Sequence, residues 1–169
     1  MTVFLVRHGR PAMDTSRPAS EWELDPASFD DVWALRESGR LPARAVWFSS
    51  PEPKALQTAQ LLTDDEVNVV EALREHVRSA GWVEDFADVV ARALAEPSVS
   101  AAEGWEPIDA CRARVTLAVG EITASHSGDD IVLVGHGTAW TVAAAALTGT
   151  EPDLERWQAL AMPDVVELS

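Results

Sequence analysis

Short apolar runs closed by polar or small residues alternate along the chain with stretches whose apolar positions fall three and four apart. Val3-Phe4-Leu5-Val6 is continuous, β-branched at both ends and bounded by Arg7-His8-Gly9, so it reads as a buried strand. Residues 10–28 hold three prolines among Ser, Thr and Asp and read as a loop. Phe29 to Ser38 has helical spacing at Val32, Leu35 and Arg36, with Gly39 as a stop. Ala45-Val46-Trp47-Phe48 reads as a second strand, ended by Ser49-Ser50-Pro51. Pro53 suits the first turn of a helix with Ala55, Leu56, Ala59, Leu61 and Leu62 on its apolar face. Val67 to Val70 is a third strand candidate. Gly81 to Leu94 and Ile108 to Ser125 read as amphipathic helices, separated by a polar stretch with Pro97, Gly104 and Pro107. Ile131-Val132-Leu133-Val134 is the clearest strand; Gly135-His136-Gly137 and an alanine-rich helix from Thr138 to Leu147 follow it, and Val165 to Leu168 adds a last strand. Strands alternating with helices predict a three-layer α/β/α sandwich with a mostly parallel central sheet. A length of 169 residues fits a single domain over 1–169.

Hydrophobic residues make up 47% of the chain and charged residues 24%, an ordinary globular balance. No apolar run approaches bilayer length, and no basic segment precedes the first strand, so it is read as a strand and not as a signal peptide. Cys111 stands alone, which rules out an internal disulfide, fits a cytoplasmic location and suggests a small packed side chain. The net charge of −15, from 28 acidic and 13 basic residues, disfavours nucleic acid and anionic membrane as partners. It also repels a phosphorylated substrate at long range, so a phosphate site must gather its few cations locally. No heptad or interface stripe speaks to the oligomeric state.

Two strands end alike: Val3 to Val6 leads into Arg7-His8-Gly9, and Ile131 to Val134 into Gly135-His136-Gly137. In an open α/β sheet, ligands bind outside the carboxyl ends of the strands, so the two histidines meet there if the strands are neighbours. The glycines would admit a ligand to the backbone or take a strained turn. The helix from Thr138 would aim free N–H groups at an anion.

With Arg7-His8-Gly9, Ser49-Ser50-Pro51 running on to Ala55-Leu56-Gln57-Thr58-Ala59, Leu73-Arg74-Glu75 and Gly135-His136-Gly137 in that order, the sequence resembles the histidine phosphatase superfamily, also called phosphoglycerate-mutase-like. The resemblance implies that His8 attacks phosphorus to give a phosphohistidine, and that Arg7, His136 and the Gly137 N–H bind the phosphoryl oxygens. It assigns Glu75 as the acid that protonates the leaving oxygen, with Glu71 as rival, and that role asks for a raised pKa. Lys54 stands where the family usually has a second arginine; it keeps the charge but loses the bidentate fork. His76-Val77-Arg78-Ser79-Ala80-Gly81-Trp82-Val83-Glu84 matches the family only in part.

The expected activity is that of a metal-independent phosphatase on a small phosphorylated substrate, with no cofactor: no metal-ligand motif and no Gly-x-x-x-x-Gly-Lys loop is present. Mutase activity is disfavoured, because the chain is short for the closing segments that would keep an intermediate from water. The alternatives are a phosphatase for phosphohistidine on a partner protein and a non-catalytic phosphate-binding protein of the same fold. Specificity is expected in loops 10–28, 76–84 and 96–107. Arg10 adds potential at the mouth or faces solvent, and Glu106 touches the cluster or caps the helix after Pro107. His76 and His126 are read as surface residues. Most of the seven tryptophans are read as core, with Trp22, Trp82 or Trp105 as candidate pocket walls.

Overall fold

The computed structural model describes residues 1–78 and 83–168. The expected strands form as β1 (Val3–Arg7), β2 (Val46–Ser49), β3 (Val67–Val69), β4 (Ile131–Gly135) and β5 (Asp164–Leu168). They make one five-stranded sheet in the order β3-β2-β4-β1-β5, parallel except for β5, which runs antiparallel to β1. β4 is buried at every position, and β1 from Val3 to Val6. Covered on both faces, these strands need no polar alternation, which is why they read as continuous apolar runs.

The helices are α1 (Phe29–Glu37), α2 (Pro53–Leu62), α3 (Phe86–Ala95), α4 (Ile108–Ser125), α5 (Gly137–Thr148) and α6 (Leu154–Ala159). Side chains alternate across the strands. Phe4, Val6, Trp47, Val132 and Val134 pack on Val32 and Leu35 of α1 and Ala55, Ala59 and Leu62 of α2. Leu5, Phe48, Ile131 and Leu133 face the other way, onto Cys111, Val115 and Val119 of α4 and Ala139, Val142 and Ala143 of α5. The result is the three-layer α/β/α sandwich. Cys111 is fully buried and free, as its reading as a packed apolar residue requires.

Three expectations shift. The helix expected from Gly81 begins at Phe86; Gly81 and Trp82 lie outside the described residues. The 10–28 segment contains 3-10 turns at Ala19–Glu21 and Pro26–Ser28, and Pro11 pairs with Leu24. The unexpected α6 is six residues long and buries none of them, so it has no apolar stripe to announce it; the Asp153 side chain caps it by accepting from the Arg156 N–H.

One glycine of the last parallel strand is required by packing. A Cβ on Gly135 would lie 2.5 Å from Cζ2 of Trp140, whose indole crosses the strand and donates to the Val6 carbonyl at 2.8 Å. Gly135→Ala is expected to cost about 1–3 kcal/mol, read from the urea midpoint. An unchanged midpoint would show that the indole moves aside freely.

Candidate active site

β1 and β4 are parallel neighbours in register, Arg7 opposite Gly135, so the next residues, His8 and His136, emerge side by side. Their rings meet edge to face with centroids 5.2 Å apart, and the His8 N–H donates to the Gly135 carbonyl at 2.9 Å. After β1 the chain passes to the α1 face and after β4 directly into α5 on the other face. The pair therefore sits where two connections diverge.

His8 is 6% exposed. Its Nδ1–H donates to the Gly9 carbonyl at 2.6 Å, which fixes the neutral tautomer and leaves the Nε2 lone pair for an electrophile. Burial, aided by the neighbouring charges of His136, Lys54 and Arg7, holds its pKa well below the usual value against the pull of the Gly9 carbonyl. His136 is wholly buried, with Nε2 2.7 Å from Ser50 Oγ and Nδ1 without a partner. Burial lowers its pKa to about 3; Glu75 opposes this, while Lys54, Arg78 and Arg7 add to it. Both rings are thus neutral near pH 7, as a nucleophilic imidazole must be.

Arg7 donates from Nη1 to the Leu160 carbonyl at 2.6 Å, and its Nε is buried without a partner. A Cβ on Gly137 would stand 3.2 Å from that Nε, so this glycine makes room for the guanidinium. At Gly9 a Cβ would strike Leu24 and Val32 at 2.8 and 2.9 Å. Neither glycine has positive φ. The expectation of a strained turn is corrected here: both positions are set by close packing.

Lys54, in the first turn of α2, is buried, and its charge acts on both imidazoles. The sequence did not point to its neighbour Glu52, also buried. Glu52 Oε2 accepts from Lys54 Nζ at 2.5 Å, and its Oε1 accepts from the Glu75 N–H at 3.0 Å and lies 3.6 Å from His136 Nε2. Lys54 Nζ donates also to the Ala19 carbonyl at 2.7 Å. Two of the three ammonium protons are therefore committed, and the lysine is held in one orientation between the 10–28 loop and the histidines. An acidic residue before a helix-starting proline ordinarily reads as an N-terminal charge, so nothing in the pattern marked Glu52 as buried.

Glu75 joins the cluster through α5. Its Oε1 accepts from the His76 and Ala139 N–H groups, both at 2.8 Å, and Oε2 from the Thr138 N–H at 3.2 Å. This corrects two expectations. The Thr138 and Ala139 N–H groups are not free for an anionic ligand, because the carboxylate already occupies them. Nor is the carboxyl pKa raised: burial pushes it up, but Arg78, His136 and the backbone donors outweigh burial and hold it well below the usual range. The rival Glu71 is exposed and paired with Arg74.

Two other residues differ from their readings. His76 is not on the surface: it is 2% exposed, bonded through Nε2 to the Glu106 carbonyl at 2.6 Å and edge-on to Trp105. His126 is half-buried against Phe48. The Glu106 side chain bonds to neither His8 nor His136 and does not cap α4. It accepts from Arg114 at 2.5 Å and from the Val77 N–H at 2.8 Å, bracing the segment that carries Glu75. Arg10 is exposed and pairs with Asp31 at 3.4 Å. Trp105 is buried; Trp22 is half-buried and donates to carbonyls of the 10–28 loop; Trp82 is outside the described residues. Among the described residues, no three His, Cys, Asp or Glu side chains converge as metal ligands, and no helix is long and apolar enough to cross a membrane.

This fold has counterparts. A phosphoserine phosphatase mutant from Entamoeba histolytica in complex with phosphoserine superposes with a TM-score of 0.78, at 18% identity over 98% of this chain and 89% of that one. A mycobacterial glucosyl-3-phosphoglycerate phosphatase complexed with VO3 gives 0.77, at 26% identity over 99% and 92%. The Entamoeba histolytica phosphoserine phosphatase in complex with 3-phosphoglyceric acid gives 0.77, at 19% identity over 98% and 89%. A search of curated protein sequences found no match. The model of the histidine phosphatase superfamily (branch 1) matches residues 3–169. Paired His-Gly termini on neighbouring parallel strands and a family pattern running through almost the whole chain agree: this protein belongs to the histidine phosphatase superfamily.

Proposed function

We propose that this chain, acting as one domain, is a metal-independent phosphatase that hydrolyses a small phosphate monoester through a phosphohistidine on His8. The observation that carries the reading is the juxtaposition of a neutral His8, its Nε2 unengaged, with His136, Arg7 and Lys54. Solved neighbours that are phosphatases, one of them holding phosphoserine, support the reaction class.

In the first step His8 Nε2 attacks phosphorus, the N–P bond forms and the P–O ester bond breaks, and the leaving oxygen takes a proton from Glu75. In the second, water attacks phosphorus, its proton passes to Glu75 and the N–P bond breaks, releasing inorganic phosphate. Arg7, His136 and the Gly137 N–H hold the equatorial oxygens, and Lys54 adds the remaining positive charge. Because Glu75 rests as a carboxylate, the charge of the arriving phosphate must raise its pKa before it serves as the acid. The near-complete burial of His8 favours a small ester over a phosphohistidine displayed on a partner protein.

The test is to trap the intermediate. Labelled p-nitrophenyl phosphate, turned over with EDTA present and quenched in alkaline detergent, is expected to leave an alkali-stable, acid-labile label on the His8 peptide. No label, or a label that persists in His8→Ala, would remove the phosphohistidine. Turnover abolished by EDTA would remove the metal-free mechanism. Phosphate binding without turnover would identify a non-catalytic binder.

A further inference from the structure

We propose that Arg78 is a subsite for a carboxylate carried by the alcohol that leaves, making the preferred substrate a phosphorylated carboxylic acid; this rests on the phosphatase reading above.

The position comes first. Arg78 follows Glu75 by three residues, and its Nη2 donates to Thr138 Oγ1 at 3.0 Å. The N–H of that same Thr138 is bound by Glu75. The guanidinium therefore lies beside the carboxylate that the proposed mechanism has protonate the leaving oxygen.

Donor capacity comes next. Of the five N–H groups a guanidinium offers, one is used by a described residue, and Nε is buried with no partner. Among the described residues no carboxylate pairs with Arg78 within 4.0 Å; Glu75, Glu52 and Glu106 act on it only through space. A half-buried arginine without an ion partner is costly to keep, and this chain has 28 acidic residues from which one could have been drawn. Of the other two site cations, Lys54 is paired with Glu52, and Arg7, with one N–H on the Leu160 carbonyl and its Nε free, is the one the proposed mechanism places on the phosphoryl oxygens.

Third, the group is preorganised. Its central carbon lies 4.6 Å from the centroid of Phe86 and 4.9 Å from that of Trp105, and Trp157 anchors the same Thr138 hydroxyl from its indole at 3.2 Å. Two rings packed against the guanidinium and a hydroxyl on one nitrogen hold it in place, and the in-plane N–H edge of a guanidinium suits a planar two-oxygen acceptor. One lone cation matches the single charge of a carboxylate; a second phosphate dianion would need more.

Two pairs of esters differ in this group: O-phosphoserine against O-phosphoethanolamine, which lacks only the carboxylate, and 3-phosphoglycerate against glycerol 3-phosphate. Binding to the full chain carrying His8→Ala, measured by calorimetry, is expected to favour each carboxylate-bearing member at least tenfold. Adding Arg78→Met is expected to bring both ratios near one, with Arg78→Lys between. In the chain with His8 intact the same ratios should appear in KM. No preference before Arg78 is changed would overturn the proposal, as would equal loss for both members of a pair, which would place Arg78 on the phosphoryl group instead. Since binding is read apart from turnover, a chain that binds selectively but hydrolyses nothing would sink the phosphatase reading and leave the subsite standing. If Arg78→Met fails to fold, the lysine variant and the unsubstituted ratios still decide.

Discussion

Replacing His8 by alanine is expected to lower kcat toward p-nitrophenyl phosphate by at least about 10⁴-fold, some 5 kcal/mol of transition-state stabilisation, with little change in KM. The reasoning is local. His8 sends its Nδ1–H to its neighbour's carbonyl and leaves Nε2 without a partner, so the ring is poised to attack rather than to bind. Arg7, Lys54 and His136 do not depend on the His8 side chain for a hydrogen bond, so ester binding should survive its loss. Water would then have to attack directly, without the covalent step that divides the barrier. His136→Ala should cost less, about 10²–10³-fold, because it withdraws one oxyanion partner and not the nucleophile. Circular dichroism and the thermal midpoint separate a catalytic loss from misfolding. A decrease below tenfold in a folded His8→Ala protein would place the nucleophile elsewhere.

Fold and site were not equally legible in the sequence. β1 and β4 read clearly because strands covered on both faces carry unbroken apolar runs, and the His-Gly ends that follow them do come together, where the candidate site was expected. What periodicity cannot express is a buried polar side chain whose partners come from distant segments. Glu52 and Arg78 both sit in polar surroundings in sequence, yet Glu52 is drawn beneath Lys54, Glu75 and His136, and Arg78 beneath Phe86 and Trp105. His76 misled for the same reason: its partner, the Glu106 carbonyl, is thirty residues away. The N-terminus of α5 shows the converse error. Helix geometry correctly gives free N–H groups there, but only the folded chain shows that Glu75 already holds two of them. The departure at Lys54 becomes intelligible in the same way. A lysine lacks the fixed fork of arginine, and Glu52 with the Ala19 carbonyl supplies from outside the orientation that the side chain does not supply itself.

The buried histidines should also make the fold sensitive to acid well above the carboxylate range. His136 has a pKa of about 3 when folded against an ordinary 6.5 when unfolded. Between those values the unfolded chain holds a proton that the folded chain does not, so stability rises with pH across that window. The contribution is complete above about pH 6.5, drains as pH falls and is gone near pH 3, a change of about 5 kcal/mol. His8 is shifted in the same direction and adds to it. Glu75 acts with the same sign for the opposite chemical reason: its folded pKa is depressed, so its contribution is present above the ordinary carboxyl range and is lost as pH falls through and below it. Against a domain stability of about 5–15 kcal/mol, these losses are large enough to unfold the protein in mild acid. Urea midpoints should hold between pH 7.5 and about 6.5 and then fall steadily to pH 4.5 at constant ionic strength. In His136→Gln the slope should be shallower by about one proton, roughly 1.4 kcal/mol per pH unit. Equal midpoints at both pH values would mean that water or a shifted side chain lets the folded protein take up these protons, and that the neutral, sealed histidine pair is not the resting state of the site.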